Sequence, residues 1–170
     1  MKVYCIKVAL FYNKRIYRDI EIIENQSLAD LDGSIFEAFD RYDEHLYSFF
    51  LTGKAIKSTR KIYDFPEITH PMNLEDLTGF THKKRYNAKK TKIRDLDLYE
   101  KGKFYYLFDF GDDWWHELSV LKIEDASGLK GYPKITKKVG DSPEQYQIIE
   151  TIMRRRIFSY LSSMLLSANR

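Results

Sequence analysis

The groups able to do acid–base or metal chemistry concentrate in one stretch. Residues 106–120 read YLFDFGDDWWHELSV and hold Asp109, Asp112 and His116. An ionised carboxylate between Phe108 and Phe110 is a costly occupant of a strand interior unless a partner compensates it. A hairpin supplies that partner. If residues 111–114 form the loop, Phe110 faces Trp115 and Asp109 faces His116; if Gly111 and Asp112 alone turn the chain, Asp109 faces Trp114 and His116 is diagonal to it. Direct cross-strand neighbours lie about 5 Å apart and diagonal ones about 7–8 Å, so both arrangements permit an interaction. The chemical reading is an acid–base or metal-binding pair, Asp109 with His116, assisted by Asp112 or His45. The structural reading is a carboxylate that fixes the turn by accepting backbone N–H bonds, with His116 as its satisfied neighbour. The structural reading is preferred, because nothing nearby completes a catalytic triad. The four histidines, His45, His70, His82 and His116, show no HxxxH or HxxEH spacing, so no metal and no cofactor is expected.

A second chemistry-bearing stretch is basic. Residues 82–94 read HKKRYNAKKTKIR, with Tyr86 set among Lys83, Lys84, Arg85, Lys89 and Lys90. Lysines and arginines beside an exposed aromatic ring suit phosphate contact and base stacking. The bland alternative is a solvated loop. Cys5 is the single cysteine and sits in an apolar run, which favours an inert thiol over a nucleophile.

The elements that position these groups follow from composition and pattern. The chain has 170 residues, a length that favours one domain over 1–170. A hydrophobic share of 44% and a charged share of 31% exclude the disordered and fibrous classes. The net charge of +3 conceals an uneven distribution. Residues 1–50 hold six basic and nine acidic side chains, whereas the loop-rich segment 51–103 holds thirteen basic and seven acidic ones. One cysteine cannot form an internal disulfide, which points to a reducing, cytoplasmic setting. The opening residues show no cleavage site, and Lys7 interrupts an apolar run too short to span a bilayer.

Residues 3–10 and 16–23 read as strands, joined by a turn at 12–15. On the second strand Ile16, Arg18, Ile20 and Ile22 share one face, so Arg18 breaks the alternation. Ser27 as N-cap with Asp30 at N3 predicts a helix whose stripe is Leu28, Leu31, Ile35, Phe36 and Phe39. Gly33 weakens that helix unless close packing requires it. Residues 45–51 supply a third strand that ends at Gly53, and 61–65 a short strand stopped by Pro66. Single helical turns are expected at 73–77 and 91–96. The strands 103–110 and 114–123 form a long central hairpin, with Trp114 and Trp115 on opposite faces. A C-terminal helix opens at Ser142, Pro143 and Gln145, with Ile148, Ile149, Ile152, Ile157, Leu161, Met164 and Leu165 as its buried stripe. The fold class is therefore α+β: a mainly antiparallel sheet with an N-terminal ββαβ unit, a central long hairpin and a C-terminal helix packed on the sheet.

The central stretch resembles the signature of the plasmid pRi ORF-three-like family, also met as TnpR-like passenger proteins of insertion elements. The pattern Y-x-[YF]-D-F-G-D-x-W-x-H-x-[IL]-x-V falls on Tyr106, Phe108, Asp109, Phe110, Gly111, Asp112, Trp114, His116, Leu118 and Val120. Residues 16–22, 27–39, 45–49 and 93–98 are similar to the family's opening elements and to its lead-in to the hairpin. Beyond the hairpin, Tyr132-Pro133 and Pro143-Glu144 match, while the family's cysteines and paired glycines are missing. The resemblance implies a fold and an association with mobile elements, not a reaction. There is no serine-recombinase pattern, and without a glycine-rich phosphate loop the DFG is not that of a kinase. The expected function is a non-catalytic binding or interaction module with a protein partner and no membrane contact. The alternatives are nucleic-acid binding through 82–94, or a small enzyme or metal site around Asp109 and His116.

Overall fold

The computed structural model describes residues 1–74, 84–126, 128 and 131–146. Its elements run β1 (Lys2–Leu10), β2 (Tyr17–Ile23), α1 (Leu28–Ala38), β3 (Tyr47–Gly53), α2 (Thr59–Ile62), β4 (Glu67–Thr69), β5 (Arg85–Asn87), β6 (Lys103–Phe108), β7 (Trp114–Asp125) and β8 (Lys134–Val139), with short 3-10 turns at Pro71–Leu74 and Ile93–Leu96. The strands form one eight-stranded sheet in the order β5-β4-β3-β6-β7-β1-β2-β8. Every pairing is antiparallel except β4 with β5. The class is α+β, as the pattern predicts. The first four elements come in the order β, β, α, β, yet β3 does not join β1 or β2; it pairs with β6 and β4.

Alternation along β6 assigns the two faces of the sheet, since successive side chains point to opposite sides. Phe104, Tyr106 and Phe108 pack with Ile6, Val8, Ile20, Ile22, Leu118 and Val120 against Leu28, Leu31, Ile35 and Phe39 of α1. Tyr105 and Leu107 join Phe50, Ile62 and Trp115 in a second cluster. Trp114 and Trp115 do fall on opposite faces: Trp114 packs on the first cluster and Trp115 in the second.

α1 starts where its cap predicts. The Ser27 hydroxyl accepts from the Asp30 amide at 3.2 Å, and the Asp30 carboxylate accepts from the Ser27 amide at 2.6 Å. Arg18, which broke the strand pattern, closes the other end of the helix. It is fully buried, its Nε donates to the Ala38 carbonyl at 2.7 Å, and its Nη1 donates to the Tyr17 and Val139 carbonyls at 2.9 Å. A guanidinium here satisfies carbonyls left over where a helix ends and opposes the negative end of its dipole.

Three expectations are corrected. Residues 61–65 are not a strand: Thr59–Ile62 is helical and the strand begins after Pro66, at Glu67. β8 is an additional strand, lysine-rich and on the sheet edge, where charge discourages further pairing. Residues 142–146 are not helical; the Ser142 hydroxyl instead accepts from Arg18 Nη2 and donates to Asp40, each at 2.7 Å. The rest of the expected C-terminal helix lies outside the described residues, as do residues 75–77 of the expected turn at 73–77. Among the described residues, no helix is long and apolar enough to cross a membrane.

Candidate functional site

The signature stretch folds into a hairpin with a register different from either expectation. Phe108 pairs with Trp114 and Tyr106 with His116, leaving residues 109–113 as the turn. Asp109 has left the strand. Its backbone sits in the left-handed region at φ 58°, its amide donates to the Leu46 carbonyl at 3.0 Å, and its carbonyl accepts from the Asp113 amide at 2.8 Å. Its buried carboxylate accepts from the Gly111 amide at 2.9 Å and, more weakly, the Asp112 amide at 3.4 Å. Asp and Asn tolerate this conformation and bind their own backbone two residues on, which is why Asp suits the position. Asp112 supplies that amide and brings no second carboxylate to Asp109.

His116 does not face Asp109. It is buried between Phe39 and Tyr106, at ring-centroid distances of 4.9 and 5.3 Å, and its Nδ1 donates to the Trp114 carbonyl at 2.9 Å. Burial, reinforced by the nearby Arg41 guanidinium, depresses its pKa to about 3, so the ring is neutral and works as an aromatic core residue. The guanidinium of Arg41 lies 3.8 Å from the Trp114 ring centroid and so pins that tryptophan from outside.

The histidine near Asp109 is His45, whose Nε2 lies 3.5 Å from the Asp109 carboxylate. The same nitrogen meets the Tyr146 hydroxyl at 2.8 Å, and that hydroxyl donates to Asp43 at 2.5 Å. Because the tyrosine proton goes to Asp43, His45 Nε2 carries the proton and donates. Both partners engage one nitrogen, so this is not the two-sided relay of a nucleophile, histidine and acid. Gln145 locks the same loop: its Oε1 accepts from the Tyr42 and Asp43 amides at 3.1 and 3.2 Å, and its Nε2 donates to the Asp43 carbonyl at 2.8 Å.

Beyond His45 lies a cavity of about 210 Å³ between α1, the start of β3 and the end of β6. Its walls include Phe36, Tyr47 and Phe108, and Gly33 leaves it open on the helix side. At its floor Asp32 accepts from the Tyr106 hydroxyl at 2.6 Å. Burial drives the Asp32 pKa up to about 7, against the Tyr106 hydrogen bond and helped by Glu44. Burial and Lys89 together push His70 below its ordinary value. Asp32, His70 and Phe36 escaped the sequence reading as site residues. One signal was available: Asp32 stands four residues after Leu28 and four before Phe36, so it interrupts the apolar stripe of the helix.

The basic stretch is only partly gathered. β5 is an edge strand carrying Arg85 and Tyr86; Tyr86 is 43% exposed, with Lys84 Nζ 5.2 Å from its ring centroid. Arg85 Nη1 donates to the Asn73 carbonyl at 2.6 Å, Lys89 turns to the cavity, and Lys90 is exposed beyond it. His82 and Lys83 lie outside the described residues. Burial and Glu21 raise the Cys5 pKa, opposite to what a nucleophilic thiol needs. Among the described residues, no group of three or more His, Cys, Asp and Glu side chains could hold a metal ion.

The fold is similar to that in the crystal structure of a protein of unknown function, MM3350 from Methanosarcina mazei Go1. The two share 24% sequence identity and a TM-score of 0.65 over 85% of this chain and 73% of that one. No curated protein matches the chain. The model of one family, described as plasmid pRiA4b ORF-3-like protein, matches residues 2–149 and takes in both the capped helix and the whole Asp109–His116 hairpin, so the chain belongs to the plasmid pRiA4b ORF-3-like family.

Proposed function

We propose that this chain is a non-catalytic binding module for a protein partner, working in a mobile-element setting such as that of an insertion-element passenger, with the cavity beside α1 as its contact point. The observation that carries the reading is what the signature residues are engaged in. Asp109 binds turn amides, and His116 is a neutral ring sealed in the core. A hairpin so committed supports a scaffold better than a reaction centre, while the Asp32 cavity keeps polar groups open to a visitor. The test is to isolate a crosslinked partner and rebuild the complex from purified components. A complex that survives Asp109→Asn and is lost on Gly33→Leu, which fills the cavity, is expected. A partner that is chemically altered by the native chain but not by the Asp109→Asn variant would make it an enzyme.

A second reading rests on the exposed Tyr86 beside Lys84 on the edge strand, a stacking ring with a phosphate-seeking neighbour. Retention of labelled single-stranded DNA or RNA that falls steeply with added salt and is lost on Tyr86→Ala supports it; no retention at low salt removes it.

A further inference from the structure

We propose that the cavity beside α1 receives the ammonium group of a lysine side chain on the partner, with the Asp32 carboxylate as its counter-ion. This deepens the binding-module reading and rests on it. The floor of the cavity carries the argument. One oxygen of Asp32 accepts from the Tyr106 hydroxyl at 2.6 Å, while the other has no partner among the described residues. A carboxylate with one oxygen committed offers a single acceptor, which suits the point charge of an ammonium. A guanidinium would seek both oxygens at once.

The walls fit the rest of such a side chain. Phe36 and Phe108 meet edge to face with centroids 5.9 Å apart, and Tyr47 stands beside them. Aromatic faces attract a cation and cover an apolar stem. A Cβ added at Gly33 would meet nothing within 4 Å, so no packing requirement explains a glycine in the helix, and the space it leaves opens onto the cavity. A volume of about 210 Å³ accommodates the five heavy atoms of a lysine side chain, given about 30 Å³ for each water-sized group.

The charged side chains at the rim are of both signs, Glu44 favouring an ammonium and the exposed Lys89 opposing it. His70 is held toward its neutral form, and His45 donates to Tyr146 beside the carboxylates of Asp43 and Asp109. The acidic surplus of residues 1–50, nine acidic against six basic side chains, favours approach of a basic protein segment.

The experiment is an amide NMR titration of the full chain with five probes: Nα-acetyl-lysine methylamide, its norleucine counterpart, free butylamine, acetate, and a ten-residue peptide bearing one central lysine. Saturable shifts at Gly33, Phe36 and Phe108 are expected with the lysine probe and more tightly with the peptide. Asp32→Asn, which can still accept from Tyr106, should weaken binding at least tenfold with its spectral dispersion intact. Should that variant unfold, Gly33→Leu takes its place and must abolish the shifts. Norleucine binding as tightly as lysine would overturn the counter-ion role. Butylamine matching the peptide would overturn the protein source. Acetate shifting the same amides while lysine does not would overturn the cationic ligand and leave the binding-module reading standing. Silence of these amides toward every probe and toward the crosslinked partner would end both.

Discussion

At the scale of single residues, the lesson of the hairpin is that one backbone dihedral decides what a carboxylate can do. In the left-handed region Asp109 points back at its own turn, so its charge meets amides instead of a cross-strand histidine. Alanine at this position should cost about 1–3 kcal/mol, because the Gly111 donor loses its acceptor and alanine resists a positive φ. Asparagine keeps both the acceptor and the tolerance, so Asp109→Asn should lose less than half as much in urea unfolding. A pair of equal losses would show that the charge, felt by His45, matters more than the turn. The oddity of an acid between two phenylalanines was legible in the sequence. Its partner was not, because a five-residue turn and a two- or four-residue turn differ only in dihedrals that Asp, Gly and Asp can all adopt.

Elements obey their sequence signals where local chemistry is complete and depart from them where a distant element decides. α1 belongs to the first kind. Its capping box closes as the Ser27 and Asp30 spacing predicts, and Ser27→Ala should cost about 1 kcal/mol in chemical denaturation. Gly33→Ala should do the reverse and stabilise by about 0.5–1 kcal/mol, since no neighbour contests the added methyl group and alanine is the better helix former. A destabilised Gly33→Ala would mean that the cavity side of α1 tolerates no added atom. Arg18 belongs to the second kind. It broke the alternation of β2 because it answers carbonyls on α1 and β8, elements separated from it in the chain by 20 and 121 residues. Arg18→Leu keeps the bulk but orphans those carbonyls, and a loss of about 2–4 kcal/mol is expected from the midpoint of urea unfolding. β8 escaped notice for a related reason: KITKKV carries too little apolar character to announce a strand, and pairing with β2 supplies what the sequence pattern lacks. Residues 61–65 erred oppositely: of the three β-forming residues there, Ile62 ends a helical turn, Tyr63 caps it, and Phe65 follows in the bend before Pro66.

The whole molecule couples two desolvated titrating groups that local pattern could not relate. Asp32 on α1 and His116 on β7 both reach Tyr106, one through its hydroxyl and the other through its ring. Their effects on stability oppose each other. His116 titrates near 6.5 in the unfolded chain and at about 3 in the fold, so between those values the unfolded state holds the extra proton and stability falls as pH falls. Asp32 titrates near 3.8 unfolded and at about 7 folded, so between those values the native state holds the extra proton and stability falls as pH rises. In the shared window, from about pH 4 to 6.5, one proton is held by each state and the two slopes cancel. Each slope alone is worth about 1.4 kcal/mol per pH unit. Removing one group therefore exposes the other. Relative to the native chain, Asp32→Asn should make stability rise with pH across this window, whereas His116→Phe, placed among the rings of Phe39 and Tyr106, should make it fall. Urea unfolding at half-unit pH steps reads both slopes, and taking each variant against the native chain removes the background of surface carboxylates. Slopes of the same sign in the two variants would show that one group is not held in the protonation state its surroundings impose. Opposite slopes would tie the acid at the floor of the cavity and the sealed histidine behind it to a single core, in which the same tyrosine receives both.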